Sequence, residues 1–481
     1  MKNIRNINIL FSYHTNPYSM PPVNLSDNQV LCGPFCEDVY VDNMVYSLNT
    51  TKGSYDINPV IEKIPKGQKP ELLIIKADST RNNFPAKLNL LEIPKVLIIG
   101  DTHHLQQPIR TMLDYALKEE FDYYVSDHKR HHLHYFIEAG LSNCYWLPGF
   151  LVKDWQLEFK ENRDTPLSFV GQANQFHPMR KRMLAKIKAA GLPIQTNSVS
   201  QEEASQIYSN SLLSLNHSLN GDLNLRVFEV LAAGGCLVTD RLSPQSGLEE
   251  LFQNKKHLVL FDNFEDLIKK LEYYLSNPNE ALEIARKGYQ EFHSHHHPEI
   301  KTKQLMDLVF NNTIDDCYKS TSDKRSLAVK SSSLEDLKTR ISQYEYLQDL
   351  HRQYSELTVL FHPSADERLL CDIADLPRLR IHSLKPTGTL VEETGVRDQI
   401  YTIDQEQLSA SKIKWDLLIT GTNLILDQNQ QLNLNHPPAN ILFTDWPKIR
   451  DHEIKTQVQN SIYRMGYKLL NISVSGIFGG K

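Results

Sequence analysis

The stretch LNLRVFEVLAAGGCLVTD, residues 223–240, decides how this chain is read. Apolar residues recur through RVFEVLAA at helical spacing, two glycines end the run, and CLVTD follows as a short buried-type strand. Arg226 and Glu229 stand three residues apart, so they share one face near the start of that helix, with Asn224 just before it. A guanidinium in such a place can grip a diphosphate with two parallel bonds, and a carboxylate suits a pair of ribose hydroxyls. On spacing alone an ordinary amphipathic helix, with an Arg–Glu pair worth roughly 0.2–0.5 kcal/mol, accounts for the same residues.

Working outward, short apolar runs alternate with helical patterns, which predicts parallel α/β layers. A first series of strands is expected at 7–13, 71–77, 95–101, 121–127 and 143–149, and a second at 167–172, 212–218, 236–241 and 257–263. The polar segment 153–166 separates them as a candidate hinge. Three helical patterns follow the second series, and the Ser- and Lys-rich run YKSTSDKRSLAVKSSS then reads as a linker. A helix expected at 334–354 opens a third α/β series. The expected domains are 1–152, 167–312 and 334–481, with 313–333 as linker.

With 481 residues the chain exceeds what one core usually serves. Its 40% hydrophobic and 23% charged residues are those of a soluble globular protein. A net charge of −6 gives no general attraction to nucleic acid, and no apolar run approaches a membrane span. The six cysteines are scattered, which with the absence of a signal-peptide pattern predicts a reduced, cytoplasmic protein with room for a peripheral place at the inner face of the membrane. Cys32 and Cys36, in CGPFC, form the one close pair and read as incidental thiols.

In a doubly wound sheet, ligands sit beyond the carboxyl ends of the strands, where helix N-termini offer N–H groups to anions. The order of NLRVFEVLAAGG, LVTD, GLEELF, HLVLF and a helix ending in YYLSNP resembles the donor-binding half of GT-B glycosyltransferases, closest to the spore-maturation-like "group 1" branch. The resemblance covers about a third of the chain, 167–310. It implies two Rossmann-like domains facing a cleft, plus an appended C-terminal α/β domain. It also implies transfer of a sugar from a nucleotide diphosphate sugar to a glycan, lipid-linked or other hydroxyl acceptor, in surface polysaccharide or glycoconjugate assembly, with no further cofactor.

Carried onto this sequence, it puts Glu229 on the ribose, Arg226 near the diphosphate, and Asn216 and Asn224 at the same loop, with Gly171 where backbone approaches the ligand. Gly247 and Leu248 would begin another helix facing the site. Many retaining members carry an acidic residue eight positions before the ribose-binding Glu. Here that position is Gly221, with Asp222 beside it, so retaining and inverting outcomes both stay open. On the acceptor side, IIGDTHH offers Asp101 and His103 as catalytic groups just past a strand, with His104 and, more weakly, His14 nearby.

Two His-dense runs, DHKRHHLHYF and HSHHHPE, lack a metalloprotease-type pattern and read as solvated helix ends. No Asp-x-Asp occurs, so no metal is expected. The terminal SGIFGGK lacks the first glycine of a phosphate loop. The third series has a methyltransferase-like flavour, but His362 and Pro363 stand where a glycine-rich loop is wanted, which favours a degenerate structural domain. Two alternatives therefore accompany the transferase reading: a non-catalytic nucleotide-sugar-binding or scaffold protein, and a bifunctional transferase and methyltransferase.

Overall fold

The computed structural model describes residues 6–14, 24–153, 155–175, 177–319, 329–353, 356–384, 400–426, 432, 434, 437–465, 467–471 and 477–480. The chain divides into two compact units, one made of 1–136 and 141–322, the other of 137–140 and 323–481. Its architecture is α/β with open, mainly parallel sheets, and none of the described sheets closes into a barrel. Among the described residues no helix is long and apolar enough to cross a membrane.

The first unit holds two large sheets. One has eight strands in the order Cys144–Trp146, Tyr123–Ser126, Lys95–Ile99, Leu72–Ala77, Ile9–Tyr13, Gln29–Gly33, Met44–Asn49 and Val39–Val41. All neighbours are parallel except the last pair, a hairpin. Leu72, Leu73, Ile74 and Ile75 are all fully buried, as expected where helices cover both faces. The hairpin turns through Asp42 and Asn43, both left-handed (φ 49° and 65°), the backbone of a tight two-residue turn.

The second sheet runs Ile194–Asn197, Thr165–Val170, Ser211–Leu215, Cys236–Asp240, Val259–Phe261, parallel throughout. The chain starts on Thr165–Val170, steps to one side, and returns to Ser211–Leu215 on the other. The strand order therefore reverses between those two strands, and Gly171 and Asn216 follow their carboxyl ends. Helices cap themselves locally: Ser200 and Glu203 form a reciprocal capping box, and Asn263 accepts from the Asp266 N–H at 2.9 Å. Leu267, Leu271 and Tyr274 face the core at three- and four-residue spacing.

The second unit carries a seven-stranded sheet ordered Ile400–Ile403, Leu379–Leu384, Leu357–Phe361, Leu417–Thr420, Asn440–Phe443, Ile477–Gly480 and Tyr467–Asn471. Ile477–Gly480 is antiparallel to both its neighbours. Within the terminal SGIFGGK, which lacks a phosphate-loop pattern, the described residues Ile477–Gly480 thus form a strand. Also in this unit, the Arg340 guanidinium is buried against Glu138 and Asp372.

One expectation fails. DHKRHHLHYF is not a solvated helix end: His128, His131, His132 and His134 are all buried, in a short 3-10 turn leading into helix Leu133–Glu138. The cause is packing. The turn follows strand Tyr123–Ser126 of the first sheet and meets the short helix Leu248–Leu251, where Arg130 binds both carboxylate oxygens of Glu250 at 2.7 Å. In HSHHHPE the outcome is divided, with His295 exposed and His296 buried against Phe228 and Phe252.

Candidate functional site

The opening stretch folds into helix Leu225–Ala232, entered through Asn224, whose side chain makes no capping bond to the first turn. Arg226 sits in that turn. Its Nη1 donates to Asn216 Oδ1 at 2.9 Å, its guanidinium lies over the Phe169 ring at 5.2 Å, and the buried Tyr208 hydroxyl is against it. Asn216 is fixed by its Nδ2 donating to Thr239 Oγ1 at 3.0 Å and also accepts from Asn224 Nδ2 at 3.3 Å. Gly171, at φ +137°, faces the same guanidinium: a Cβ there would stand 2.3 Å from Arg226 Nη2. The backbone conformation favours glycine here, and a side chain would push the Arg226 guanidinium aside.

Glu229 lies one turn deeper and is bonded by Gln201 Nε2 at 3.5 Å. Burial raises its carboxyl above the ordinary range, with Arg226 and Gln201 pulling in the other direction. A residue that the sequence reading missed joins them. Arg180, in the first turn of helix Pro178–Ala189, donates to the His217 carbonyl at 3.1 Å. Burial, assisted by the charge of Arg226, lowers it to about 10. Its signal was legible: it lies in the first helix after the strand that ends at the reversal of strand order.

The loop 217–224 meets the first sheet. His103 Nε2 lies 3.3 Å from Asp222 Oδ2, Asn220 Nδ2 donates to the His103 carbonyl at 2.8 Å, and Lys129 Nζ donates to the Asn220 carbonyl. His128 Nδ1 is 3.4 Å from the Leu223 carbonyl. From behind, Asp240 accepts from the Ser218 N–H at 2.8 Å and from the Ser218 hydroxyl. This loop is therefore held from both sheets. Sequence reasoning singled out Asp222 only for its place near Glu229, and no spacing rule joins it to His103, 222 − 103 = 119 positions away.

Just past strand Lys95–Ile99 of the first sheet, Asp101 and His104 approach at 3.5 Å, Asp101 and His128 at 3.5 Å, and the rings of His103 and His104 at 3.1 Å between nitrogens. Burial alone would raise the Asp101 carboxyl, but the surrounding His103, His104 and His128 outweigh it and hold it below its ordinary value. Burial, with His104 beside it, pushes His103 well below the usual imidazole range. Of the buried polar atoms without a partner among the described residues, three belong to this site: Arg226 Nε, Asn224 Oδ1 and His103 Nδ1. Each has bonding capacity that a ligand could take up.

The remaining candidates lie elsewhere in the contacts. Gly247 (φ +79°) caps the four-residue helix Leu248–Leu251, and a Cβ on it would stand 2.4 Å from Trp146. Leu248 is buried, its N–H taken by Ser246 Oγ at 3.3 Å. His14 tilts against Phe35. Cys32 and Cys36 are free thiols, the former pushed up to about 12 by burial.

Residues 173–307 match the model of a family described as glycosyl transferase-like. The matched segment runs from just past Gly171 to the end of the second sheet's helical cover and contains Arg180, Asn216, Arg226 and Glu229. Comparison with curated proteins gives no match. Similar solved structures include Anabaena Alr3699/HepE in complex with UDP and glucose, at 11% identity over 64% of this chain and 100% of that one, with a TM-score of 0.44. Sucrose-phosphate synthase from Thermosynechococcus elongatus aligns at 10% identity over 63% of this chain and 99% of that one, TM-score 0.42. The S. aureus protein TarM aligns at 12% identity over 50% of this chain, TM-score 0.38; the chain spans about half, 54%, of TarM's length.

Proposed function

We propose that this protein is a glycosyltransferase that moves a sugar from a nucleotide diphosphate sugar to a hydroxyl acceptor. The observation that carries the reading is the convergence, at the strand reversal of a segment with a glycosyl transferase-like match, of Arg226, Asn216, Asn224 and a side-chain-free Gly171. In this reading Arg226 and Arg180 take the diphosphate oxygens. Both guanidiniums are partly desolvated, which strengthens their hold on developing negative charge as the sugar departs. Glu229 accepts the ribose hydroxyls. The two arginines do for the leaving group what a divalent ion does in other sites, so transfer proceeds without metal.

Asp101 or His103 takes the proton of the acceptor hydroxyl. Both lie just past a strand of the first sheet, and His103 bonds directly to the loop that carries the donor residues. For the C-terminal sheet a structural or interaction role is the reading we favour over a second transfer. Beyond its own reversal, between Leu357–Phe361 and Leu417–Thr420, the described groups bond to one another. Ser364 Oγ bonds His362 Nδ1 at 2.7 Å and Thr420 Oγ1 at 3.0 Å and accepts from the Gly421 N–H at 3.0 Å. A structural or interaction role fits that bonding.

The test is donor consumption by the full chain in EDTA, with a panel of UDP-, GDP-, CDP- and dTDP-sugars. Release of nucleoside diphosphate from one of them, by hydrolysis or by transfer to an added glycan or lipid acceptor, is the expected result. A chain that consumes none of them above background overturns the transferase reading in favour of a binding or scaffold protein.

A further inference from the structure

We propose that Asp101, His103 and His104 form a binding site for one divalent first-row transition-metal ion of the zinc class. Each residue offers one ligand atom, and these atoms lie within 4.8 Å of one another. Tetrahedral ligands at about 2.0–2.1 Å from zinc stand roughly 3.3 Å apart, so the cluster is slightly open. The His103 and His104 nitrogens, at 3.1 Å, are already at that separation. The side chains of Asp101 and His104 are about a third exposed, at 31% and 28%, and can swing inward, whereas His103 is held at 5%. An ion thus has an entry path and one rigid anchor.

Two imidazoles and a carboxylate suit zinc, cobalt or nickel better than magnesium or calcium, which want an oxygen cage. The supporting ring is present as well. His128 Nε2 lies 3.5 Å from Asp101 Oδ1, the kind of outer partner that orients a metal ligand, and Asp222 Oδ2, 3.3 Å from the same His103 Nε2 that faces His104, adds negative charge beside the ion. His103 Nδ1, buried and without a partner among the described residues, is a second donor left unused by the protein's own bonding. The ion is not the diphosphate's counter-ion, a task given above to the arginines. It occupies the side chains proposed to take the acceptor proton, so loading slows transfer; that consequence alone rests on the transferase reading.

The experiment is titration of EDTA-stripped, dialysed full-length protein with Co(II), read by calorimetry and by visible absorption, on wild type, His104→Ala and Asp101→Asn. Both variants alter partly exposed side chains and keep the fold, which thermal melting verifies. Expected is one saturable site with the absorption of nitrogen- and oxygen-ligated Co(II), weakened at least roughly tenfold in each variant. Absence of a saturable site, or a site unchanged in both variants, overturns the proposal. Zinc titrated into a donor-consumption assay is then expected to lower the rate. Because ion binding is read without turnover, a protein that binds cobalt but consumes no donor keeps the metal site and loses the transferase.

Discussion

Arg226→Ala is expected to lower donor turnover about 100- to 1,000-fold, the range seen when one preorganised donor to a developing oxyanion is removed. The guanidinium is held by Asn216 at 2.9 Å and by the Phe169 ring, and its Nε is left without a partner. On the proposed reading it would need little reorganisation to take a diphosphate, and that preorganisation is what truncation removes. The fold should persist. Its bond to Asn216 is worth about 1–3 kcal/mol as a charge-assisted contact, and Asn216 keeps its bond to Thr239. Arg226→Lys keeps the charge without the planar fork and should fall between the two. Steady-state release of nucleoside diphosphate, with a melting curve beside it, checks this; an unchanged rate removes Arg226 from the donor site.

The largest effect on stability is expected in the second unit. Arg340 is 1% exposed, Asp372 0% and Glu138 4%. Its Nε donates to Asp372 at 2.8 Å, and its Nη1 donates to Ser331 at 2.8 Å and to Glu138 at 3.1 Å. Arg340→Ala removes the guanidinium that the two buried carboxylates share. Breaking a buried pair in this way costs about 3–5 kcal/mol, since each abandoned charge retains its desolvation penalty. Calorimetric unfolding should show a lowered transition. A melting curve that matches wild type would mean the carboxylates are hydrated or otherwise compensated.

Strands with continuous apolar runs were legible in the sequence because burial on both faces leaves no alternative composition. The expectations at 71–77, 95–101 and 236–241 correspond to Leu72–Ala77, Lys95–Ile99 and Cys236–Asp240. Strands at the sheet's far edge were not. Gln29–Gly33, Met44–Asn49 and Val39–Val41 mix polar and exposed residues, and Val39, Tyr40 and Val41 are all exposed. The Asp42–Asn43 turn was the usable signal there.

For the site, helix periodicity placed Arg226 and Glu229 on one turn, because both depend on a single helix. The pairing His103–Asp222 joins loops of the two sheets and depends on how the sheets pack, and Arg180–His217 joins a helix to a loop beyond a different strand; no spacing rule along the chain encodes either contact. The His-rich run misled for the same reason. Composition suggested solvent, while the contacts that bury His128 to His134 come from the second sheet and the surrounding core.

The measurement that bears most directly on the donor site is a thermal-shift titration with UDP, GDP, CDP and dTDP in EDTA, on wild type and Glu229→Ala. One nucleotide, at a hundred times its dissociation constant, should stabilise wild type by about 2.7 kcal/mol, and the variant should lose most of that gain. If no nucleotide shifts the wild type, or if the variant responds as wild type does, helix Leu225–Ala232 does not hold the donor.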